Sequence, residues 1–522
     1  MSKALIIQTP GAMTGSGGKK LENYVGIEFT RGASDGGGEH GYHKMIGDEE
    51  LLSELPLFNQ IKLAMVRDAK IITYLNQTNI NKSESGADVD LAGADGSDVM
   101  QCYPDMYCII GGTDATYERF IFSDEYFEYG DDKAFKWNAF AQAPDREVIV
   151  AGAARSIYSN NPGSFSVSKA TDVSDGSWAN GNGYPSALKK RYEFEAAAKA
   201  RNANASSNKP YMNGTTLDLE IILGVLYVEM RTKNFCSVFG YGLSSAVTPT
   251  AENWNTTTGV KTTVDGVELY FPLSRYIYIN GIMYNFFSAI GNISLHKILE
   301  PQKLASDGAT LIPVYNSDGE ALQNTNNGVM TGILKKTITF KLTCALEKGE
   351  TEAEHSFELN LMIPIWRGAT WMAGNIFSSL SGYDVVNYVD DNGTTHNILY
   401  RAKDIASIVT DSDYDDRTSK FDFESIYEEV CDLGYQTGWM KTEVAKNGVS
   451  LALAKDFGAG ADNYQSAYLQ LSKSSSGKRE RHTAGFFGSV CYSSLVSLRY
   501  ALVAKAASYN IFTSSRFRCE LQ

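Results

Sequence analysis

Several short constellations in this chain have the residue types, though not the full spacing, that chemistry requires. Glu39, His40 and His43 sit together in a glycine-rich stretch and have the types of a small metal site. Asp411, Asp413 and Asp415 alternate like the start of a calcium loop. Asp416 occupies the position of the required turn glycine, and Asp422 that of the bidentate Glu. Thr14 to Lys20 looks like a phosphate loop, but Met13 replaces its first Gly and Lys20 its closing Ser or Thr. Gly32-Ala33-Ser34-Asp35-Gly36 matches the Gly-x-Ser-x-Gly string of a nucleophile elbow. Gly37 and Gly38 prolong the loop where an elbow turns straight into a helix. The reading is therefore of loops, with no enzyme activity, cofactor or metal expected.

The seven Cys (102, 108, 236, 344, 431, 491, 519) are scattered, and C-x5-C at 102 and 108 is not the spacing of a zinc or redox pair. They read as reduced, mostly buried thiols of a protein made in a cytosol. A formal net charge of −14, with no basic run beyond Lys478 to Arg481, argues against a nucleic-acid partner. The opening Met1 to Met13 has too short an apolar core for a signal peptide, and no run reaches the ~18 apolar residues of a membrane span.

At 522 residues two or three domains are expected. With 47 Gly, 30 Tyr and 24 Phe against 12 Pro, the composition predicts many strands and tight turns. Strands are expected at Lys3 to Gln8, Tyr24 to Thr30, Ile71 to Leu75 and Met106 to Gly111, around an acidic loop from Ser83 to Ser97. A helix is expected from Asp48, interrupted at Pro56 and continued over Leu57 to Asp68. Leu188 to Ala200 predicts another, capped by Ser186. Thr215-Thr216 opens a third, with Leu219, Ile222, Leu223, Leu226 and Met230 as its core stripe. Antiparallel strands are expected in Leu269 to Phe271, Ile333 to Leu342 and Phe357 to Ile363, and loops at Gly368 to Ser378 and Gly434 to Trp439. The pattern changes near Asp131-Asp132, giving a β-rich region 1–130 for assembly or attachment and a second domain over 131–522.

The last segment carries the most information. Of the 31 residues from Gly485 to Ser515, six are aromatic, seven are Ser, and only Arg499 and Lys505 are charged. A solvated tail has the opposite composition, so the segment is packed or bound. Tyr and Phe supply rigid contact area, and Ser and Asn supply adaptable hydrogen bonds. A plain C-terminal core hairpin has the same composition, so both readings stand at this point.

The stretch Leu451 to Glu520 resembles the C-terminal variable region of target proteins of diversity-generating retroelements, as carried on bacteriophage tail fibres. The resemblance lies in Phe457-Gly458-Ala459-Gly460, Gly485-Phe486-Phe487, Leu498 to Leu502, Ser508-Tyr509-Asn510-Ile511 and Arg516-Phe517-Arg518. Upstream, Gly181 to Asn202, Leu217 to Gly242 and Leu55 to Gly111 are similar to segments of the same tail proteins. The resemblance implies an α+β fold: an N-terminal mostly-β assembly region, then a large C-type lectin-like domain with insertions, similar to the phage major tropism determinant. It implies a virion tail protein, made in the host cytoplasm. Its partners would be a host cell-surface receptor (protein or glycan), other tail proteins and two further copies in a homotrimer, without membrane insertion. Glu300-Pro301-Gln302 resembles a sugar-binding triplet of calcium-dependent lectins but lacks its Trp-Asn-Asp partner.

Period-2 alternation puts Leu498, Tyr500, Leu502 and Ala504 on one strand face and Arg499, Ala501, Val503 and Lys505 on the other. The expected contact residues are Phe487, Val490, Tyr492, Ser493, Arg499, Ala501, Val503, Tyr509, Asn510 and Phe512. Gly485, Leu498, Leu502, Arg516 and Phe517 are expected to be scaffold. Two other classes remain: a structural virion component, such as a head fibre or baseplate subunit, and a cytosolic enzyme on the related formylglycine-generating scaffold. That enzyme needs two closely spaced C-terminal Cys, whereas Cys491 and Cys519 lie far apart.

Overall fold

The computed structural model describes residues 23–31, 38, 40–47, 56–77, 79–144, 147–150, 152–156, 191–201, 211–233, 235–239, 260–264, 267–271, 276–279, 282–285, 310–322, 331–344, 353–369, 377–403, 423–435, 437–446, 449–458, 468–470, 480–487, 501–502, 505–506 and 513–522. Among them the chain is sheet-rich with few helices, a weak fit to the expected α+β class. The expected strand Lys3 to Gln8, the cap at Ser186, the glycine loop 11–18, the loop after Arg31 except Gly38, and the aspartates near 411 lie outside the described residues.

Three large sheets carry the architecture. The first orders Lys44–Gly47, Val25–Thr30, Tyr117–Ser123, Met106–Gly111, Val449–Gly458, Thr437–Lys446 and Tyr468–Gln470, with Phe135–Trp137 also paired to Met106–Gly111. In the second, Tyr211–Asn213, Phe517–Glu520, Phe140–Gln142, Asp98–Tyr103, Lys62–Arg67, Lys70–Asn76 and Asn79–Ser83 follow one another. The third runs Tyr427–Asp432, Thr395–Ala402, Phe377–Val389, Glu480–Phe487 and Ala501–Leu502.

Between the first and third sheets lies the helix Thr216–Met230. Thr215 caps it: its hydroxyl accepts from the Asp218 amide at 3.0 Å and donates to the Asp218 carboxylate at 2.7 Å. The left-handed Arg231 (φ 56°) closes it, its amide donating to Tyr227 O. The five expected stripe residues are buried, but so are Ile221, Val225, Tyr227 and Val228 on the remaining faces. A helix apolar all round is one buried all round. Here Val25, Ile27, Phe29, Phe120 and Phe122 meet it from one sheet, and Leu380, Val385 and Leu399 share its core from the other.

Strands on either side of residue 130 pair with one another. Phe135–Trp137 joins the first sheet, and Phe140–Gln142 lies between Asp98–Tyr103 and the C-terminal strand Phe517–Glu520. The Asp132 carboxylate caps the Thr113 amide at 2.7 Å.

The helix expected over Leu57 to Asp68 is corrected: Pro56–Gln60 forms one short helix, and Lys62–Arg67 is a central strand. Pairing on both sides, with Asp98–Tyr103 and Lys70–Asn76, overrides local propensity. Asp68 (φ 50°) and Ala69 (φ 59°) make the tight turn between Arg67 and Lys70, a geometry usually marked by Asn-Gly or Asp-Gly. The expected loops are also trimmed, because Phe377-Ser378 and Thr437 to Trp439 pair as strands. The remaining helix and strand expectations agree with Val25–Thr30, Lys70–Asn76, Met106–Gly111, Arg191–Ala200, Val267–Phe271, Gly332–Cys344 and Ala353–Ile365.

Cys102, Cys108 and Cys519 are buried thiols, and Cys431 is partly buried. Burial pushes Cys102 and Cys108 well above the usual thiol range and Cys519 up to about 12. Among the described residues no helix is long and apolar enough to cross a membrane.

Candidate functional site

The described residues of the aromatic and Ser-rich C-terminal segment pair into the third sheet. Glu480–Phe487 runs antiparallel to Phe377–Val389, with Ser378 opposite Phe486 and Ser379 opposite Gly485. A bulge follows, after which Asp384 to Asn387 pair with Thr483 to Glu480. The chain leaves at Phe487 and returns beside the same strand: Ala501 pairs with Phe487, Leu502 with Phe486, Lys505 with Thr483 and Ala506 with His482. Phe487 and Ala501, the described residues on either side of positions 488–500, are thus paired neighbours. Further along, Thr513–Ser514 pairs parallel with Phe377-Ser378.

Of the expected contact residues, Phe487 and Ala501 lie opposite each other in paired strands. Val490, Tyr492, Ser493, Arg499, Val503, Tyr509, Asn510 and Phe512 lie outside the described residues. The expected scaffold residues Gly485 and Leu502 are in the paired strands, and Arg516 and Phe517 are buried. Leu498 is outside the described residues.

Beyond Ser514 the chain crosses into the second sheet through a polar clamp that spacing did not announce. The Glu147 amide donates to Ser515 O at 2.9 Å, Ala143 N to Phe517 O at 3.0 Å and Gly214 N to Arg516 O at 2.5 Å. The Ser515 hydroxyl donates to the Asn213 side-chain oxygen. The Asn213 amide in turn donates to the Glu195 carboxyl at 3.1 Å, and the Ser381 hydroxyl donates to the other Glu195 oxygen. Ser381 N donates to Gly214 O at 2.9 Å, tying the third sheet to the same knot. Arg518 reaches Asp218 at the start of the long helix at 3.0 Å. Phe517 and Cys519 pack with Tyr211, Cys102, Ala197 and Ala198.

Two carboxyl groups are fully buried in this clamp. Burial, then the nearby Glu195, holds Glu147 well above the usual carboxyl range. Burial also raises Glu195, against the lowering effect of Ser381, Asn213, Lys199 and Arg191. No sequence motif joins positions 147, 195, 213, 381 and 515; only the fold brings them together.

The other chemistry-bearing candidates serve local structure. His40 faces Asp318 at 3.4 Å, whereas His43 stacks on Tyr117 with ring centroids 4.4 Å apart, so the two imidazoles have separate partners. His396 puts Nδ1 at 2.6 Å from Asp432 and Nε2 at 3.5 Å from Asp390 while stacking on Tyr388. The Asp432 hydrogen bond, reinforced by Asp390, raises the His396 pKa above its ordinary value. Among the described residues no group of three or more His, Cys, Asp or Glu is placed to hold a metal ion.

Comparison of the chain with known protein families, with characterised proteins and with solved structures finds no match.

Proposed function

We propose that this chain is a bacteriophage tail receptor-binding protein that contacts the host surface through residues 487–512. The supporting observation is the double anchoring of that segment. The described residues that flank this aromatic and Ser-rich, weakly charged stretch pair beside one strand, and Phe517 to Cys519 beyond it pair into a different sheet. A surface meant to change its side chains needs such ends, because the frame then folds independently of what the segment carries. The lectin-like character of the domain belongs to this proposal, on the sequence resemblance. So do the homotrimer and the attachment to other tail proteins. Three weak sites on one particle gain ~10²–10⁴-fold in avidity without a new contact.

The test is cell adsorption by particles carrying a foreign block in place of residues 488–500, beside particles with the native block. The expected result is normal assembly with a changed set of bound cells. Normal assembly with an unchanged host range overturns the proposal in favour of a structural virion component.

A further inference from the structure

We propose that Lys233 and Glu118 condense into an intramolecular amide, a covalent cross-link between the strand Tyr117–Ser123 and the turn that follows the long helix. The inference is independent of the receptor-binding reading. Among the described residues this is the Lys–carboxylate pair buried at both ends, with 4% and 1% of the side chains exposed. Lys233 Nζ lies in contact with Glu118 Oε2. Three rings enclose the ammonium: Phe29, Phe120 and Tyr227, with centroids 5.5, 5.7 and 5.8 Å from Nζ. Those rings meet one another edge-on, at 5.1 to 6.1 Å between centroids, and form a continuous wall. The other deeply buried ion pairs, Arg367–Glu229, Arg518–Asp218 and Arg201–Asp98, use guanidinium groups, which are not amine nucleophiles.

The step balances within the pair. A proton passes from Nζ to the carboxylate, giving an amine and a carboxylic acid, the forms that react. Nζ attacks Cδ, the Nζ–Cδ bond forms, and the Cδ–OH bond breaks. The hydroxyl departs with a second Nζ proton as water, so neither oxidant nor activated co-reactant is needed. Fixing nucleophile and electrophile in contact supplies an effective concentration of ~10⁵–10⁸ M. A water-excluding aromatic cage slows the reverse hydrolysis. The product closes a loop between residues separated by 115 positions. It restricts the unfolded chain as a long-loop disulfide does, but resists thiols.

Intact-mass measurement of the full chain in denaturant, followed by protease mapping, tests this directly. The expected result is a mass one water below that of the sequence, and a branched peptide joining the fragment with Glu118 to the fragment with Lys233. Lys233→Arg should restore the full mass and remove the branched peptide. Should that variant fail to fold, the wild-type mass and map decide alone. The full sequence mass after prolonged incubation of the folded protein overturns the proposal. A water loss that maps elsewhere, such as a succinimide at Asp35-Gly36, overturns it equally.

Discussion

The backbone amide of Glu147 donates to the carbonyl of Ser515 at 2.9 Å, and this contact anchors the chain directly after the Thr513–Ser514 pairing. The Glu147 carboxyl sits beside a second buried acid, Glu195, whose two oxygens accept from Asn213 N and the Ser381 hydroxyl. The end of the segment is therefore held by backbone pairing inside a pocket of buried acidity.

That acidity predicts an unusual pH dependence. Both carboxyls keep their protons to higher pH in the folded chain than in the unfolded one, where the ordinary value is 4.5. Their contribution is complete below that value and is lost as pH rises through the raised folded-state values. Glu147→Gln, which fixes the uncharged form, should raise the thermal midpoint at pH 8. The gain should shrink as pH falls toward 4.5. A gain that stays constant over that range would show that Glu147 does not titrate with folding.

Gly224 predicts a reversal of helix propensity. In an exposed helix Gly→Ala gains about 1 kcal/mol. Here an added Cβ would meet ring atoms of Phe122 at 2.9 Å and Phe120 at 3.0 Å and the terminal methyl of Ile110 at 3.1 Å, in a fully packed core. Gly224→Ala should instead cost about 1–3 kcal/mol by overpacking. Chemical denaturation reads the sign, and a stabilised variant would mean that the helix stands further from the first sheet.

The sequence exposed this helix because its start is written locally, in Thr215 and Asp218, and its interior is uniformly apolar. The same local legibility holds for Met106–Gly111 and Val25–Thr30, whose β-branched and aromatic residues match their pairing. It fails at Lys62–Arg67, whose identity depends on two partner strands and on an Asp-Ala turn that resembles no hairpin signal. It fails again at the clamp. Glu147, Glu195, Asn213, Ser381 and Ser515 acquire meaning only from the crossing of the C-terminal strand into the second sheet. Arg516 and Phe517 were legible as scaffold, but not the strands that receive them.

Glu229 gathers two donors at the end of a buried helix. Trp366 Nε1 donates at 2.6 Å and Arg367 Nε at 3.0 Å, while Arg367 also reaches the Ile61 carbonyl at 3.2 Å. Glu229→Ala leaves a buried guanidinium without its counter-charge, and such losses cost about 3–5 kcal/mol. Equilibrium unfolding in urea should show a lower midpoint with an unchanged slope. A loss below about 1 kcal/mol, the range of surface pairs, would mean that water reaches the pair.

His396 gives the hairpin Phe377–Val389/Thr395–Ala402 a pH response in the neutral range. Its pKa is raised above 6.5 by the Asp432 hydrogen bond, then by Asp390. The stabilisation is complete below 6.5 and disappears as pH rises through the higher folded-state value. The imidazole resonance should titrate above the free-histidine position in an NMR pH series, and Asp432→Asn should bring it down. If Asp432→Asn leaves the titration unmoved, the Asp432 contact does not set the charge.

The double anchoring of residues 488–512 predicts that frame and surface separate energetically. Phe517 is fully buried among Tyr211, Cys519 and the alanines of Arg191–Ala200, and its truncation to Ala should cost about 3–5 kcal/mol. The expected contact residues answer differently. Tyr492, Arg499, Tyr509 and Phe512 fall, in sequence, between strand pairs formed by other residues. On the proposed receptor-binding reading they face solvent, so replacing all four by Ser should shift the thermal midpoint by only a few degrees, each exposed substitution staying within about 0.5 kcal/mol. The same quadruple variant should lose cell adsorption, since the rigid aromatic contact area is gone. Retained folding with lost adsorption assigns these side chains to the surface. Unfolding of the quadruple variant, with Phe517→Ala no worse, would make these residues part of the core and withdraw them as a binding site.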